Sequence, residues 1–178
     1  MGWVKTVDSY FIELAISGAK QVEALFEMGI DTNEITRDDL FDRDYQKIKD
    51  SDPAQFRTKA IVFYEKYFPN IMEPLSGSNE KIGFAACLDV KGYVPVHNKA
   101  VSQKQRLGEV EWNSAHCRNL RFYEDKASVA AAQNKKPFLI QAYRRDLGNE
   151  NFVIMKDVSA PIFVEGELWG GMRLGYTV

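Results

Sequence analysis

Near residue 80 the hydrophobic period of this chain changes, and that change constrains the fold more than any other feature. Upstream, Val7, Phe11, Leu14, Gly18, Val22 and Leu25 recur at three- and four-residue steps. That spacing predicts one apolar stripe on a long helix over roughly residues 5–28, with Gly29 as its stop. Downstream, strand-length segments follow one another between turn signals: KIGFAACLDVKGYVPVHN, PFLIQAYRRD, NFVIMKDVSAPIFV and ELWGGMRLGYTV. Helices first, then antiparallel strands joined by hairpins, predict an α+β domain. The expectation is a single domain over residues 1–178, with a helical flank at 1–79 and a sheet-forming core at 80–178. All five or six strands of its central antiparallel sheet are expected after residue 80.

Finer punctuation fills in the rest. Residues 31–52 hold eight acids against four bases and read as a solvated face, with Thr36 opening a short helix. Asp52-Pro53 reads as the cap and first position of a second helix, whose aromatic face is Phe56, Phe63, Tyr64 and Tyr67. Pro69 and Pro74 are expected to break or restart it. A turn is expected at Val90-Lys91-Gly92, a structured loop with a short helix over 99–121, and an alanine-rich helix over 125–134. Further turns are expected at Leu147-Gly148-Asn149 and at Glu165-Gly166.

Composition narrows the function classes. The chain has 178 residues, 45% of them hydrophobic, and a net charge of -2, which argues against a general nucleic-acid surface. No apolar run approaches the ~20 residues of a membrane span, and the opening MGWVKTVD is no signal peptide. Cys87 and Cys117 lack metal-type spacing; Cys87 reads as a buried small hydrophobe, and a disulfide between the two stays open. The chain begins in a helical pattern and stops on a strand, which suggests an excised fragment or a domain at the end of a longer protein.

Three pieces then line up: LDVKGYVPVHN, KDVSAPIFVEGELWGG and MRLGYTV. Their order resembles the Cache sensory domains of bacterial chemoreceptors, extended relatives of PAS domains. More narrowly, the stretch from ALFEMGI through DDLFDRDYQKI, GYVPVHNK, WNSAHCRNLRFYED and PFLIQAYRRDLG is similar to a sensory module attached to some methyl-accepting chemotaxis proteins. The resemblance implies a small-molecule sensor with no chemical turnover, no cofactor and no nucleic-acid partner. It implies a homodimer in the full receptor, coupled to a helical signalling domain. It also implies a module C-terminal to that domain, hence cytoplasmic, although most Cache domains lie outside the cytoplasm, which leaves a periplasmic site open. The residues agree in one negative respect: there is no phosphate loop, nucleophile elbow or C-x-x-C.

Candidate ligand-binding residues crowd the strand ends and the central loop. His97 and Asn98 end a strand, where the resemblance places a histidine near the ligand. Trp112 and Asn113 read as a pocket wall with a polar handle or as a loop anchor. Arg118 and Arg121 are one helical turn apart, so both can face one spot and hold a carboxylate, or else pair with Glu124 or Asp125. Tyr143 and Arg145 share one face of their strand. Lys156 and Asp157 sit inside an apolar strand, where a charge is either paired across the sheet or aimed into a pocket. In the resembled family the aspartate of the D-x-S segment meets a ligand amine, which falls on Asp157. The pocket is expected between one sheet face and the loop 98–121, and its ligand is expected to carry a carboxylate, because residues 99–121 hold five bases against two acids. A haem or redox sensor using His97, His116 or Cys117 is the alternative; His116 and Cys117, adjacent on a helix, point about 100° apart and do not readily share one metal.

Overall fold

The structure is a computed structural model that describes residues 5–148 and 151–178. Its first element, α1, spans Ser9–Asp31. The buried stripe is Phe11, Ala15, Gly18, Ala19, Val22, Phe26 and Gly29, so small residues alternate with two aromatic anchors. Gly29 is not the stop that its identity suggested. A Cβ there would lie 2.6 Å from the Phe63 ring, so the glycine marks a close approach inside the helix rather than its end. Gly18 does the same under Leu75, at 2.7 Å. Val7, at the head of the expected stripe, is exposed.

Next come α2 (Arg37–Leu40), capped by Thr36 accepting from Asp39 N, and two short strands, β1 (Gln46–Lys47) and β2 (Phe56–Arg57). These strands pair with each other, which corrects the expectation that every strand follows residue 80. Asp52-Pro53 lies between them in a cis peptide rather than opening a helix. The second long helix, α3, runs over Ile61–Gly77 and carries Pro69 and Pro74 inside it. Each proline lacks only its own N–H, and the aromatic face holds the helix to α1: Phe26 meets Tyr64 and Phe68 at ring-centroid distances of 6.1 and 6.0 Å.

The central sheet has four antiparallel strands in the order β3 (Ile82–Asp89), β8 (Glu167–Thr177), β7 (Asn151–Val164) and β6 (Leu139–Gly148). A separate ladder pairs β4 (Tyr93–Val94) with β5 (Arg121–Phe122). Between those two lie a 3-10 turn at Lys99–Val101 and α4 (Val110–His116); α5 (Lys126–Gln133) follows β5, capped by Asp125. The molecule is therefore α+β, with a long N-terminal helix and flanking helices about an antiparallel sheet.

Strand alternation divides the sheet into two working faces. Ala85 and Cys87 of β3, Val158, Ala160 and Ile162 of β7, and Met172, Leu174 and Tyr176 of β8 join the core under α1 and α3. Phe11 stacks on Tyr176 at 3.9 Å. The β7–β8 register slips at Ile162/Phe163, leaving Trp169 without a partner. This bulge sends the indole into the core, where Nε1 donates to Leu40 O at 3.0 Å and to the Tyr64 hydroxyl at 3.1 Å. The opposite face of β3 carries Phe84, Ala86 and Leu88 toward α5 and Tyr123.

Two glycines give a paired test. A Cβ on Gly170 would lie 1.9 Å from Leu88 O, a backbone atom that moves only if β3 and β8 part, whereas a Cβ on Gly77 meets nothing within 4 Å. Urea unfolding is expected to show Gly170→Ala destabilised by about 3 kcal/mol or more, and Gly77→Ala unchanged or about 0.5 kcal/mol more stable.

Candidate ligand-binding site

A cavity of about 330 Å³ opens on the second face of the sheet. Phe84, Ala86 and Leu88 form its apolar floor, and Tyr123 and Val94 extend it. Polar groups reach it from four places: His97 beyond β4, Arg118 in the central loop, Tyr143 on β6 and Arg173 on β8. Asp125 and Ser128 bring the first turn of α5 to its rim. Glycines open the space. Gly175 faces the Phe84 ring so closely that a Cβ would sit 2.2 Å from it, and Gly171 lies under Ala131 O of α5 at 2.8 Å on the same construction.

One charged array organises this wall. Arg173 donates to Asp157 Oδ2 through Nε at 2.9 Å and Nη2 at 2.5 Å, and to Ser128 Oγ through Nη1 at 2.7 Å. Ser128 Oγ donates in turn to Asp125 Oδ2 at 2.6 Å, and its backbone N–H donates to Asp125 Oδ1 at 3.0 Å. Asp157 has no exposure at all. Burial pushes its carboxyl above the ordinary range, against the pull of Arg173 and the Gln141 amide. Its Oδ1 makes no well-formed hydrogen bond, and neither does Ser159 Oγ two residues along the same face. Asp157 thus stands behind Arg173 and does not line the cavity, so the ligand-amine role implied by resemblance finds no open carboxylate there.

His97 is buried. Its Nδ1 accepts from the Asn98 backbone N–H at 2.8 Å, which leaves the ring proton on Nε2. Burial, reinforced by Arg118, Arg173 and Arg121, lowers its pKa to about 4, so the ring is neutral near pH 7. Arg118 differs from Arg173 in having no ion pair or side-chain hydrogen bond among the described residues, and its Nε is buried without a partner. Its backbone is fixed, with N–H donating to Val101 O and the carbonyl accepting from the Tyr123 hydroxyl at 2.9 Å.

The remaining sequence candidates lie elsewhere. Asn98 is a structural staple: Oδ1 accepts from Ala85 N at 2.9 Å and Nδ2 donates to Glu73 and Ser76. Asn113 is another, with Nδ2 donating to Asp52 O and Arg106 O and Oδ1 accepting from Arg106 N. It borders a wider, more polar cleft of about 520 Å³ between the 48–57 and 102–108 segments, but its amide is fully used. Trp112 packs outside the cavity between His116, stacked at 4.4 Å, and Arg106 at 3.7 Å. His116 Nδ1 lies 2.9 Å from Trp112 O. Arg121 does not share a helix with Arg118. The helix ends at His116, Leu120 turns at φ 60°, and Arg121 falls in β5 against the Ser114 and Cys117 carbonyls. Lys156 points to the other sheet face and pairs with Asp8 at 2.9 Å. The side chain of Arg145 lies outside the described residues. Both cysteines are free and buried.

Arg173, Asp125 and Ser128 were absent from the sequence candidates. Their signal was present: Arg173 is the one charge in MRLGYTV, and Asp125 precedes an alanine-rich helix as a cap.

The lowered pKa of His97 has a consequence for stability. Between pH 6.5 and about 4 the unfolded chain takes up a proton that the folded site refuses, so stability falls as pH falls through that window. Native protein is expected to lose about 3 kcal/mol more than His97→Asn between pH 7 and pH 4, by urea unfolding at each pH. Parallel pH profiles would count against a buried neutral imidazole.

No family model matches this chain, and no curated protein does. A solved structure that matches is an extracellular ligand binding receptor from Desulfohalobium retbaense DSM5692, at 14% identity and a TM-score of 0.37. The match covers 97% of this chain and 26% of that receptor, so the chain spans about a quarter of its length. Among the described residues no helix is long and apolar enough to cross a membrane.

Proposed function

We propose that the chain is a single ligand-binding sensory domain of a chemotaxis receptor, and that a small acid occupies the cavity between the second sheet face and the central loop. Arg118 carries this reading: it is a guanidinium at a cavity wall with no partner among the described residues, above an apolar floor. A charge left in that condition is best satisfied by an anion, and a guanidinium fork matches a carboxylate. The ordered motifs around His97, Asp157 and Trp169, similar to those of Cache modules, support the receptor part of the reading. The role involves binding without turnover. In the receptor, α1 continues toward the helical signalling region, two copies pair, and the module sits in the cytoplasm.

Magnitudes are adequate. Charge-assisted hydrogen bonds contribute roughly 1.5–3 kcal/mol each when desolvated. Two of them, with contact on Phe84 and Tyr123, approach the ~8 kcal/mol of micromolar binding. The geometry does not favour the haem alternative: the Asn98 N–H on His97 Nδ1 keeps the ring proton on Nε2, which leaves that nitrogen no lone pair for a metal, and His116 lies outside the cavity.

Calorimetry with a panel of carboxylic and amino acids tests the site. Arg118→Ala is expected to weaken binding of the active acid by at least about tenfold, the equivalent of one such bond. Arg121→Ala, directed at a residue outside the cavity, is expected to leave affinity within about twofold. Equal affinity of Arg118→Ala and native protein would overturn the reading.

A further inference from the structure

We infer that the cavity selects an acid bearing a second hydrogen-bond acceptor beside its carboxylate, an α-oxo or α-hydroxy acid, and discriminates against the α-amino acid of the same skeleton. The inference rests on the acid-binding reading above and concerns what the rest of the wall presents to such a ligand.

Two donors are unspent. One is the Arg118 guanidinium, which makes no side-chain hydrogen bond among the described residues. The other is His97 Nε2–H. The Asn98 backbone N–H is a donor in every protonation state, so the Nδ1 it reaches at 2.8 Å must accept and the proton must sit on Nε2. No side-chain partner takes that N–H among the described residues. The tautomer is fixed by the backbone rather than by the ligand. A ligand therefore meets a donor at His97 and a cation at Arg118, both on the cavity wall.

Acceptors, by contrast, are sealed off, engaged or at the rim. Asp157 is sealed behind Arg173. Ser128 Oγ accepts from Arg173 and gives its own proton to Asp125. Asp125 uses both oxygens on Ser128 to hold the first turn of α5, and it stands at the exposed rim. An ammonium group inside would face Arg118 and Arg173 and the donor edge of His97, and would give up water while the one carboxylate lining the cavity, Asp125, stands at its exposed rim. An oxo or hydroxyl oxygen at the same carbon would accept from His97 Nε2–H while the carboxylate takes Arg118.

Matched sets of acids test this on the full chain by calorimetry: propionate, pyruvate, lactate and alanine, and the corresponding phenylpropionate, phenylpyruvate, phenyllactate and phenylalanine. In whichever set binds, the oxo or hydroxy acid is expected to bind at least about tenfold tighter than the amino acid and roughly three- to tenfold tighter than the unsubstituted acid. His97→Asn keeps an acceptor for the Asn98 N–H but loses the Nε2 donor. It is expected to erase the preference over the unsubstituted acid while sparing affinity for that acid, and His97→Gln, which restores a donor at that reach, is expected to recover part of it. Amino acids binding as tightly as their oxo or hydroxy partners to native protein would overturn the inference and leave the acid sensor standing. Binding of neither set would overturn both.

Discussion

The cavity exists in its present form because Asp157 is buried against Arg173. Asp157 is fully enclosed, and an enclosed carboxylate persists only when a partner and hydrogen bonds offset its lost hydration. Arg173 supplies two of those bonds and uses its third nitrogen on Ser128. The pair therefore joins β7, β8 and the start of α5 at one point. Gly171 then lets α5 settle onto β8, and Gly175 lets the Phe84 ring lie flat beside it. Replace the pair with apolar residues and the packing can be satisfied, but the wall loses Arg173 and its bond to Ser128.

That pairing also decides which charge is available. Arg173 and Arg118 line the same space, yet Arg173 is compensated and Arg118 is not. Between them His97 stays neutral, first because it is buried and then because both arginines oppose its protonation. A charged imidazole would add a third cation to the wall; a neutral one adds a directed donor. Burial thus converts a residue often used as a proton switch into a fixed donor at neutral pH.

The four strands of the central sheet were legible in the sequence because their information is local, although five or six were expected and β4 belongs to a separate ladder with β5. The strand segments after residue 80 alternate, their turns carry glycine, and α5 announces itself by alanine. What failed was non-local or depended on loop geometry. Pro69 and Pro74 looked like breaks, but aromatic packing on α1 holds α3 through both. Arg118 and Arg121 looked like neighbours on one helical face, but the chain leaves the helix before either of them. Asn98 and Asn113 looked like ligand groups; Asn113 is spent on backbone and Asn98 on the Ala85 N–H, Glu73 and Ser76, which one-dimensional spacing cannot reveal. Asp157 was recognisable as an uncomfortable charge; its partner, sixteen residues further on, was not.

Lys156 and Asp157 show how the two faces are tied. Adjacent residues of a strand point oppositely, so Asp157 faces the cavity wall while Lys156 reaches Asp8 at the head of α1. Tyr176 on β8 repeats the arrangement, giving its hydroxyl to Asp8 at 2.9 Å and its ring to Phe11. Adjacency alone is not coupling: a ligand shifts a conformational balance only by binding its two states unequally. In the proposed sensor, an acid held by Arg118 alone would touch only the central loop and would leave the β7–β8 pair as it was. A second acceptor on the ligand, close enough to compete with Asp157 or Ser128 for Arg173, would disturb the bond that fixes β7 against β8 and α5. The same strand carries the latch on α1. The groups proposed to set specificity, Arg118 and His97, and the bond able to move the helix, at Arg173, therefore face one cavity.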